Sequence, residues 1–394
     1  MSGLLNKKYL LVIDHIMTGG AERILVDYYH HLESKGAKPF VFVLSGHEGQ
    51  SPWTEGLRVV YGTSGDEDNL FRKGLQQMKL YLNLRRMAYQ IKPDVIFSFL
   101  EKSNLLTMLL QVNAVKVVTV HNVLSIQYTK VKSNIVRNIL YAMIRWAYNK
   151  CPRVIAVSGQ VRDDLVTVFS VTPSHISVIN NYVNRNVVRK MSHEKFTDFK
   201  FEDNCRYLMT VGRFSDQKAQ WKLVKAFSVC IKRGMNKTKL LLMGNGLYGE
   251  QLKQLAIDLG IANYVTFLPF NVNPYKYMSK ADLFVLSSNF EGFPIVLAEA
   301  SSLRIPFVGS NKALPQEMFD DQRVWKQATV DIQSRECDFS TSIHADEVEL
   351  SRLMEKGLTD NNFRKMILEH TLDWEKVNNK ENQFYLYDKI SECN

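Results

Sequence analysis

Short apolar runs rich in Val, Ile, Leu and Phe recur along the whole chain, each separated from the next by a segment of helical period. That alternation leaves few folds open. Runs at 9–13, 39–44, 95–99, 115–120, 154–157 and 176–179 read as buried strands, as do 207–211, 240–243, 264–268, 283–286 and 306–308 in the second half. Segments at 21–34, 75–91, 221–232, 249–259 and 294–302 read as helices. Strands alternating with helices imply parallel sheets covered by helices on both faces. The stretch 184–204 is polar and charged, without either period, and reads as a linker; 371–390 reads as an amphipathic helix. The 394 residues therefore divide into two doubly wound, Rossmann-like α/β domains, 1–190 and 191–374, facing across a cleft, with a C-terminal helix in 375–394. Ligands of such sheets sit outside the carboxyl ends of the strands, so the loops after the strands are where candidate residues are sought.

Charge narrows the partners. Residues 1–190 hold 24 Lys and Arg against 13 Asp and Glu, a balance of +11, whereas the whole chain carries +10. The excess therefore lies in the first half, which points to an acidic partner for one domain or to a solvated basic surface. With 23% charged residues and 10 prolines the chain is not a disordered one. Its five cysteines are far apart, with no metal or redox spacing, as expected in a reducing compartment. The apolar run after Lys7-Lys8 is too short for a signal-peptide core, and 105–124 carries Asn113, Lys116, His121 and Asn122, a poor membrane span. A cytoplasmic protein that touches a membrane without crossing it is expected.

The candidate residues follow the strands. Gly19-Gly20 precedes the first helix; paired glycines there admit a ligand to a helix N-terminus, and equally make a tight turn. Gly212-Arg213-Phe214-Ser215-Asp216-Gln217-Lys218 places a guanidinium and an ammonium in one loop, which suits a diphosphate, although loop cations are also commonly just solvated. Gly244-Asn245-Gly246-Leu247-Tyr248-Gly249 has the G-x-G-x-x-G form, but the following strand ends Phe267-Leu268-Pro269-Phe270, without the acidic residue of a dinucleotide site. A turn that admits a nucleotide fits better. Glu291-Gly292-Phe293-Pro294-Ile295 follows the run at 283–286, with Pro294 suited to a first helical turn. Glu299 then lies on an otherwise apolar helix, where a carboxylate needs a partner: ribose hydroxyls, or a structural cap or salt bridge. His121 closes the run at 115–120 and faces the cleft, although a lone His is often structural. Asp66-Glu67-Asp68 is formally a D-x-D, read here as an acidic helix start rather than a metal site.

Together these residues resemble glycosyltransferase family 4, whose fold is the two-domain GT-B type, over nearly the whole chain. The most specific part is Glu291-Gly292-Phe293-Pro294 through Glu299-Ala300, the E-x-seven-E motif. Gly212-Arg213-Phe214 with Lys218 is similar to the family's diphosphate loop, and Gly19-Gly20-Ala21-Glu22-Arg23 to its N-terminal glycine loop. Val154-Ile155-Ala156-Val157-Ser158 and Val178-Ile179-Asn180-Asn181 resemble segments closing its first domain, and Trp374 with the helix after it resembles the tail that crosses back to that domain. One departure stands out: Arg304 occupies the glycine position of the family's G-x-P turn before Pro306, and Ser310-Asn311-Lys312-Ala313 replaces a glycine-rich turn.

The resemblance implies a retaining, metal-independent glycosyltransferase with no cofactor, using a nucleotide-diphospho-sugar, a UDP-sugar. It implies that Arg213 and Lys218 neutralise the diphosphate, that Glu291 with the N–H groups of Gly292 and Phe293 holds the transferred sugar, and that Glu299 holds the ribose. Leu268 would flank the base, His121 would lie near the donor sugar and acceptor, and Gly19, Gly20, Gly244 and Ile295 would complete the donor surface. The acceptor would be a lipid-linked saccharide in bacterial surface-polysaccharide synthesis. Basic segments with apolar residues, Arg72, Lys73, Lys79, Arg85, Arg86 and Lys92 and then Lys130, Lys132, Arg137 and Arg145, suit an anionic membrane surface on the inner face of the cytoplasmic membrane. A GT-B nucleotide-sugar epimerase and a nicotinamide-dependent oxidoreductase are the rival enzymes. No recognition-helix or zinc-finger spacing supports a nucleic-acid partner.

Overall fold

The computed structural model describes residues 4–17, 19–47, 51–63, 70–196, 199–333, 336–372 and 378–392. The chain forms two compact units, one of Met1–Asn181 with Glu381–Asn394, the other of Tyr182–Lys380.

The first unit is built on a seven-stranded parallel sheet. Its strands are β1 (Lys8–Ile13), β2 (Lys38–Ser45), β3 (Val59–Thr63), β4 (Val95–Phe99), β5 (Val115–Val120), β6 (Val154–Ala156) and β7 (Ile176–Val178), in the order β3-β2-β1-β4-β5-β6-β7. Tyr9 to Ile13 are all buried, without alternation, so both faces of β1 are covered. On one face Leu10, Val12, Phe42, Leu44 and Ile96 pack against Leu80, Leu84, Met87 and Ala88 of the helix Leu70–Ile91. On the other, Phe97 stacks on Tyr387 at 5.3 Å, and Tyr28 meets Phe384 and Tyr387 at 5.3 and 5.2 Å. Those last two rings belong to the helix Lys380–Glu392, which is also tied down by polar contacts: Tyr28 Oη donates to Asp388 Oδ1 (3.1 Å) and His31 Nε2 lies 2.9 Å from Asp388 Oδ2. The C-terminal helix thus starts later than the amphipathic pattern suggests, and its residues from Glu381 onward belong to the first unit. Trp374 lies outside the described residues.

The second unit carries a six-stranded parallel sheet: β8 (Arg206–Val211), β9 (Thr238–Met243), β10 (Val265–Leu268), β11 (Leu283–Leu286), β12 (Phe307–Ser310) and β13 (Thr329–Val330), ordered β10-β9-β8-β11-β12-β13. In each sheet the order reverses once, between β1 and β4 and between β8 and β11. Those are the switch points at which the loops leaving the carboxyl ends diverge and open a crevice.

Other elements also differ from the sequence reading. The stretch 184–204 is not a plain linker: Arg185–Ser192 is a helix of the second unit, capped by Asn184 accepting from Val187 N (3.1 Å). The chain passes between units before this helix, not after it. Its inward face is little more than Val188, too short for a helical period to show. Strands β3 and β13 are short edge strands without a continuous apolar run. Pro294 is the residue before the helix Ile295–Ser302 rather than its first turn. That helix ends as a Schellman motif: Arg304 N donates to Ser301 O (2.9 Å) and Ile305 N to Ala300 O (3.1 Å). Arg304 adopts φ +58°, the left-handed conformation that favours glycine, so the turn keeps its geometry with an arginine in it.

Candidate active site

The loops after β8 and β11 meet at the switch point of the second sheet, and they are bonded to each other. Asn289 N donates to Gln217 O (2.8 Å), Asn289 Nδ2 to Asp216 O (2.7 Å), and Gln217 Nε2 to Phe290 O (3.3 Å). Ser287 Oγ lies 3.2 Å from both Lys218 O and Ala219 O. The result brings Lys218 Nζ to 2.7 Å from Glu291 Oε1, with Gln217 Nε2 3.5 Å from Oε2. The Glu291 side chain is 7% exposed and that of Lys218 22%. A carboxylate this buried is tolerable because it is paired. Arg213, on the same loop, is exposed and makes no ion pair among the described residues. The site therefore offers one cation already matched to a carboxylate and a second left to solvent.

The apolar-looking helix Gln220–Lys232 supports this from below. Lys222 is fully buried and donates to Asn289 Oδ1 and, at 2.7 Å, to Gln333 O. Lys225, one turn on and equally buried, pairs with Asp338; burial disfavours that carboxylate, yet bonds from Lys225 and Ser340 outweigh it and hold its pKa below the usual range. The sequence reading missed both lysines. The signal was the one that singled out Glu299, a charge amid apolar helical residues, and was passed over because surface lysines are so common.

Glycines of the G-x-G-x-x-G segment let two loops pack closely. A Cβ on Gly244 would lie 2.1 Å from Gly212 O, and one on Gly246 would lie 2.3 Å from Phe214 O. Gly212 N donates to Met243 O (3.0 Å) and Phe214 N to Asn245 O (2.9 Å). The small residues let the loop after β9 lie against the backbone of the Arg213–Lys218 loop. Leu268 is buried at the end of β10, its carbonyl accepting from Gly244 N (3.0 Å). Glu299 is buried, with Oε1 accepting from Tyr275 Oη (2.7 Å), so a tyrosine supplies part of the partner its burial demands. Gly292 and Phe293 are buried, and Ile295 half-buried, at the start of the helix.

In the first unit, Gly19 is the residue before the helix Gly20–Ser34, and a Cβ on it would strike Glu22 Oε2 at 2.2 Å. The Glu22 carboxylate folds back over its own helix N-terminus, with His15 Nε2 3.4 Å away. A larger residue there would have to displace the Glu22 side chain from this position. His121 follows β5; burial pushes its pKa down to about 4, so it is neutral near pH 7. Thr119 Oγ1 donates its proton to Ser98 O (2.9 Å), so His121 Nε2, 2.9 Å from the same oxygen, must be the donor. That assigns the Nε2–H tautomer and leaves Nδ1 as an acceptor, able to take a hydrogen bond from a hydroxyl. Asp66-Glu67-Asp68 lies outside the described residues. Among those described, no group of three or more His, Cys, Asp or Glu is placed to hold a metal ion.

Comparisons with known proteins bear on the family and the fold. Residues 18–187 match the family model "Glycosyltransferase Family 4" and residues 168–335 match "Glycosyl transferases group 1". N-acetylgalactosamine-N,N'-diacetylbacillosaminyl-diphospho-undecaprenol 4-alpha-N-acetylgalactosaminyltransferase of Campylobacter jejuni is 26% identical over 273 residues, 68% of this chain and 72% of that one. A second Campylobacter jejuni enzyme, GalNAc-alpha-(1->4)-GalNAc-alpha-(1->3)-diNAcBac-PP-undecaprenol alpha-1,4-N-acetyl-D-galactosaminyltransferase, is 23% identical over 368 residues, 92% of this chain and 91% of that one. Among solved structures, HepE from Anabaena in complex with UDP superposes with a TM-score of 0.72 at 17% identity, covering 98% of this chain and 100% of that one. With two parallel-sheet units and glycosyltransferase family models matching in succession from residue 18 to residue 335, the chain is a glycosyltransferase of the GT-B fold, similar to family 4 and group 1.

Proposed function

We propose that this protein transfers a sugar, with retention and without a metal ion or cofactor, from a UDP-sugar to a lipid-linked saccharide in cell-surface polysaccharide synthesis. The observation that carries the reading is the Lys218–Glu291 pair at the switch point between β8 and β11, with Arg213 exposed on the same loop as Lys218. The hard step is departure of an anionic nucleotide diphosphate from the anomeric carbon. Lys218 and Arg213 stabilise that charge, and the N-terminus of the helix Ile295–Ser302 adds to them. Glu291 then accepts hydrogen bonds from the hydroxyls of the transferred sugar, and Glu299, held by Tyr275, accepts from the ribose. Leu268 and Gly244 flank the base, while Gly292, Phe293 and Ile295 line the sugar and phosphates. Gly19, Gly20 and His121 Nδ1 serve the sugar and acceptor from the first unit. HepE, solved with UDP, supports the choice of base, and the Campylobacter enzymes, named for polyprenyl-diphosphate saccharides, support the choice of acceptor.

Stabilisation by each of UDP, GDP, ADP and their sugars tests the donor assignment. UDP and one UDP-sugar are expected to raise Tm by several degrees, since a ligand at a hundred times its Kd adds about 2.7 kcal/mol. A shift with none of them sinks the donor reading, and a shift with a nicotinamide dinucleotide alone favours the oxidoreductase.

Docking on an anionic membrane from the cytoplasmic side is part of the same proposal. No helix among the described residues is long and apolar enough to cross a membrane. The helix Asn134–Lys150 exposes Ile135, Ile139, Met143 and Trp146 along one face, beside Arg137, Arg145 and Lys150, and the helix Leu70–Ile91 exposes Leu75, Met78 and Leu82 near Lys79, Arg85 and Arg86. Apolar residues that enter the interface between cations are the pattern of a membrane-surface helix. Liposomes of anionic lipid are expected to retain the protein at low salt, and Ile139→Glu with Trp146→Glu to release it. Equal recovery on neutral and anionic liposomes would remove this part.

A further inference from the structure

The switch point of the first sheet holds a buried acid that nothing so far described uses. Ile13 of β1 pairs with Phe99 of β4, and Phe99 with Thr119 of β5. The residues that leave the sheet beside one another are therefore Asp14, then Leu100 and Glu101, then His121. Asp14 is fully engaged on one oxygen, where Oδ1 accepts from Ser103 N (2.8 Å) and Ser103 Oγ (2.6 Å). Asn104 accepts from Ser98 Oγ (2.7 Å) and donates to Thr119 O (2.9 Å). Glu101 is different. It is 6% exposed, yet its Oε1 has no hydrogen-bond partner among the described residues.

Two further features show that this placement is held against a cost. Leu100, directly before it, has φ +74° and ψ 158°, a conformation almost confined to glycine. Burial and the nearby Asp14 carboxylate raise the Glu101 pKa to about 8, so near neutral pH the group is mainly a carboxylic acid, with one O–H to give and one C=O to accept. Tyr128, after β5, has its hydroxyl pKa raised chiefly by burial and then by the charges of Glu101 and Asp14. A strained turn that fixes a buried acid, one of its oxygens unpartnered, at the carboxyl edge of a sheet is an arrangement suited to a ligand.

We propose that Glu101 binds the acceptor saccharide, reading a neutral group that both gives and takes a hydrogen bond, a hydroxyl or an acetamido group. The inference rests on the transferase reading above and adds to it the residue that selects the acceptor. A cation is the poorer ligand, because a protonated carboxyl offers it little. A phosphate is poorer still beside Asp14.

The test compares full-length wild type, Glu101→Gln and Glu101→Leu with a UDP-sugar and a panel of undecaprenyl-diphosphate-linked saccharides, with and without acetamido groups. Acceptor KM, kcat, donor KM and the slow release of UDP without acceptor are measured for each. Glu101→Leu is expected to raise acceptor KM tenfold or more, leaving donor KM and acceptor-free UDP release within twofold. Glu101→Gln, whose amide still gives and takes, is expected to stay within threefold of wild type and guards against a folding defect in the leucine variant. An acceptor KM unchanged in Glu101→Leu overturns the inference, as does a parallel loss in donor KM and Tm in both variants. A wild-type chain that releases UDP but glycosylates no saccharide removes the underlying transferase reading, and that is seen before any variant is compared.

Discussion

Glutamine in place of Glu291 is expected to lower sugar transfer at least hundredfold while leaving UDP binding equal to wild type or tighter. The carboxylate sits 2.7 Å from Lys218 Nζ, so a diphosphate arriving at that ammonium must share it with an anion already in place. Removing the negative charge frees Lys218 for the phosphates. The same change removes the acceptor that fixes the sugar hydroxyls, and loss of such orientation costs about 10²-fold, or about 2.7 kcal/mol of barrier. Lys218→Ala separates the two effects. It strips the buried Glu291 carboxylate of its cation, which is expected to weaken UDP tenfold or more and to destabilise the second unit by roughly 2–3 kcal/mol, less than for a fully buried pair because Lys218 is partly exposed. Calorimetric titration of UDP and denaturant unfolding of both variants check this. Weaker UDP binding by Glu291→Gln would contradict the competition between carboxylate and diphosphate.

Alanine at Gly246 is expected to cost about 3 kcal/mol or more, lowering Tm by roughly 6–12 °C, and to abolish UDP binding. Its Cβ would sit 2.3 Å from Phe214 O and 2.6 Å from Phe214 N, and both are backbone atoms of the loop that carries Arg213 and Lys218. Neither can swing aside as a side chain would, so the loop itself must move. Gly249, the last glycine of the same G-x-G-x-x-G, is the control. A Cβ there meets only Phe214 Cδ2 at 3.6 Å, and the residue opens the helix Gly249–Asp258, so Gly249→Ala is expected to be neutral or slightly stabilising. A dinucleotide fingerprint would need that third glycine for close helix packing. Thermal unfolding of the two variants therefore separates loop packing from a nicotinamide site, and similar losses in both would reverse the assignment.

How much of this was legible in the sequence follows from what each feature costs. Strands buried on both faces, such as Tyr9 to Ile13 and Leu283 to Leu286, announce themselves because every position must be apolar. The edge strands Val59–Thr63 and Thr329–Val330 and the helix Arg185–Ser192 carry no such demand and were missed. Glu291 and Glu299 stand out in the sequence because acids in apolar surroundings are expensive, and both are buried. Lys222 escaped notice for want of context: only the fold shows that its ammonium reaches Asn289 and Gln333. The glycines of 244–249 show in the sequence a need for close approach, but only the fold shows that the backbone of the Gly212–Phe214 loop is one thing that approaches them. Glu101 lies outside any motif, and its meaning arises only when β1, β4 and β5 bring Asp14, Leu100 and Glu101 together.

The most direct test of the whole account is transfer by the unmodified protein. Purified chain is incubated with a UDP-sugar labelled in the sugar, with and without undecaprenyl-diphosphate-linked saccharides, in metal-chelating buffer. The expected result is label in the lipid fraction only when acceptor is present, in the same anomeric configuration as in the donor, and at least a hundredfold less with Glu291→Gln. Conversion of the UDP-sugar to another UDP-sugar without acceptor would make the protein an epimerase and contradict the account, as would transfer that survives Glu291→Gln unchanged.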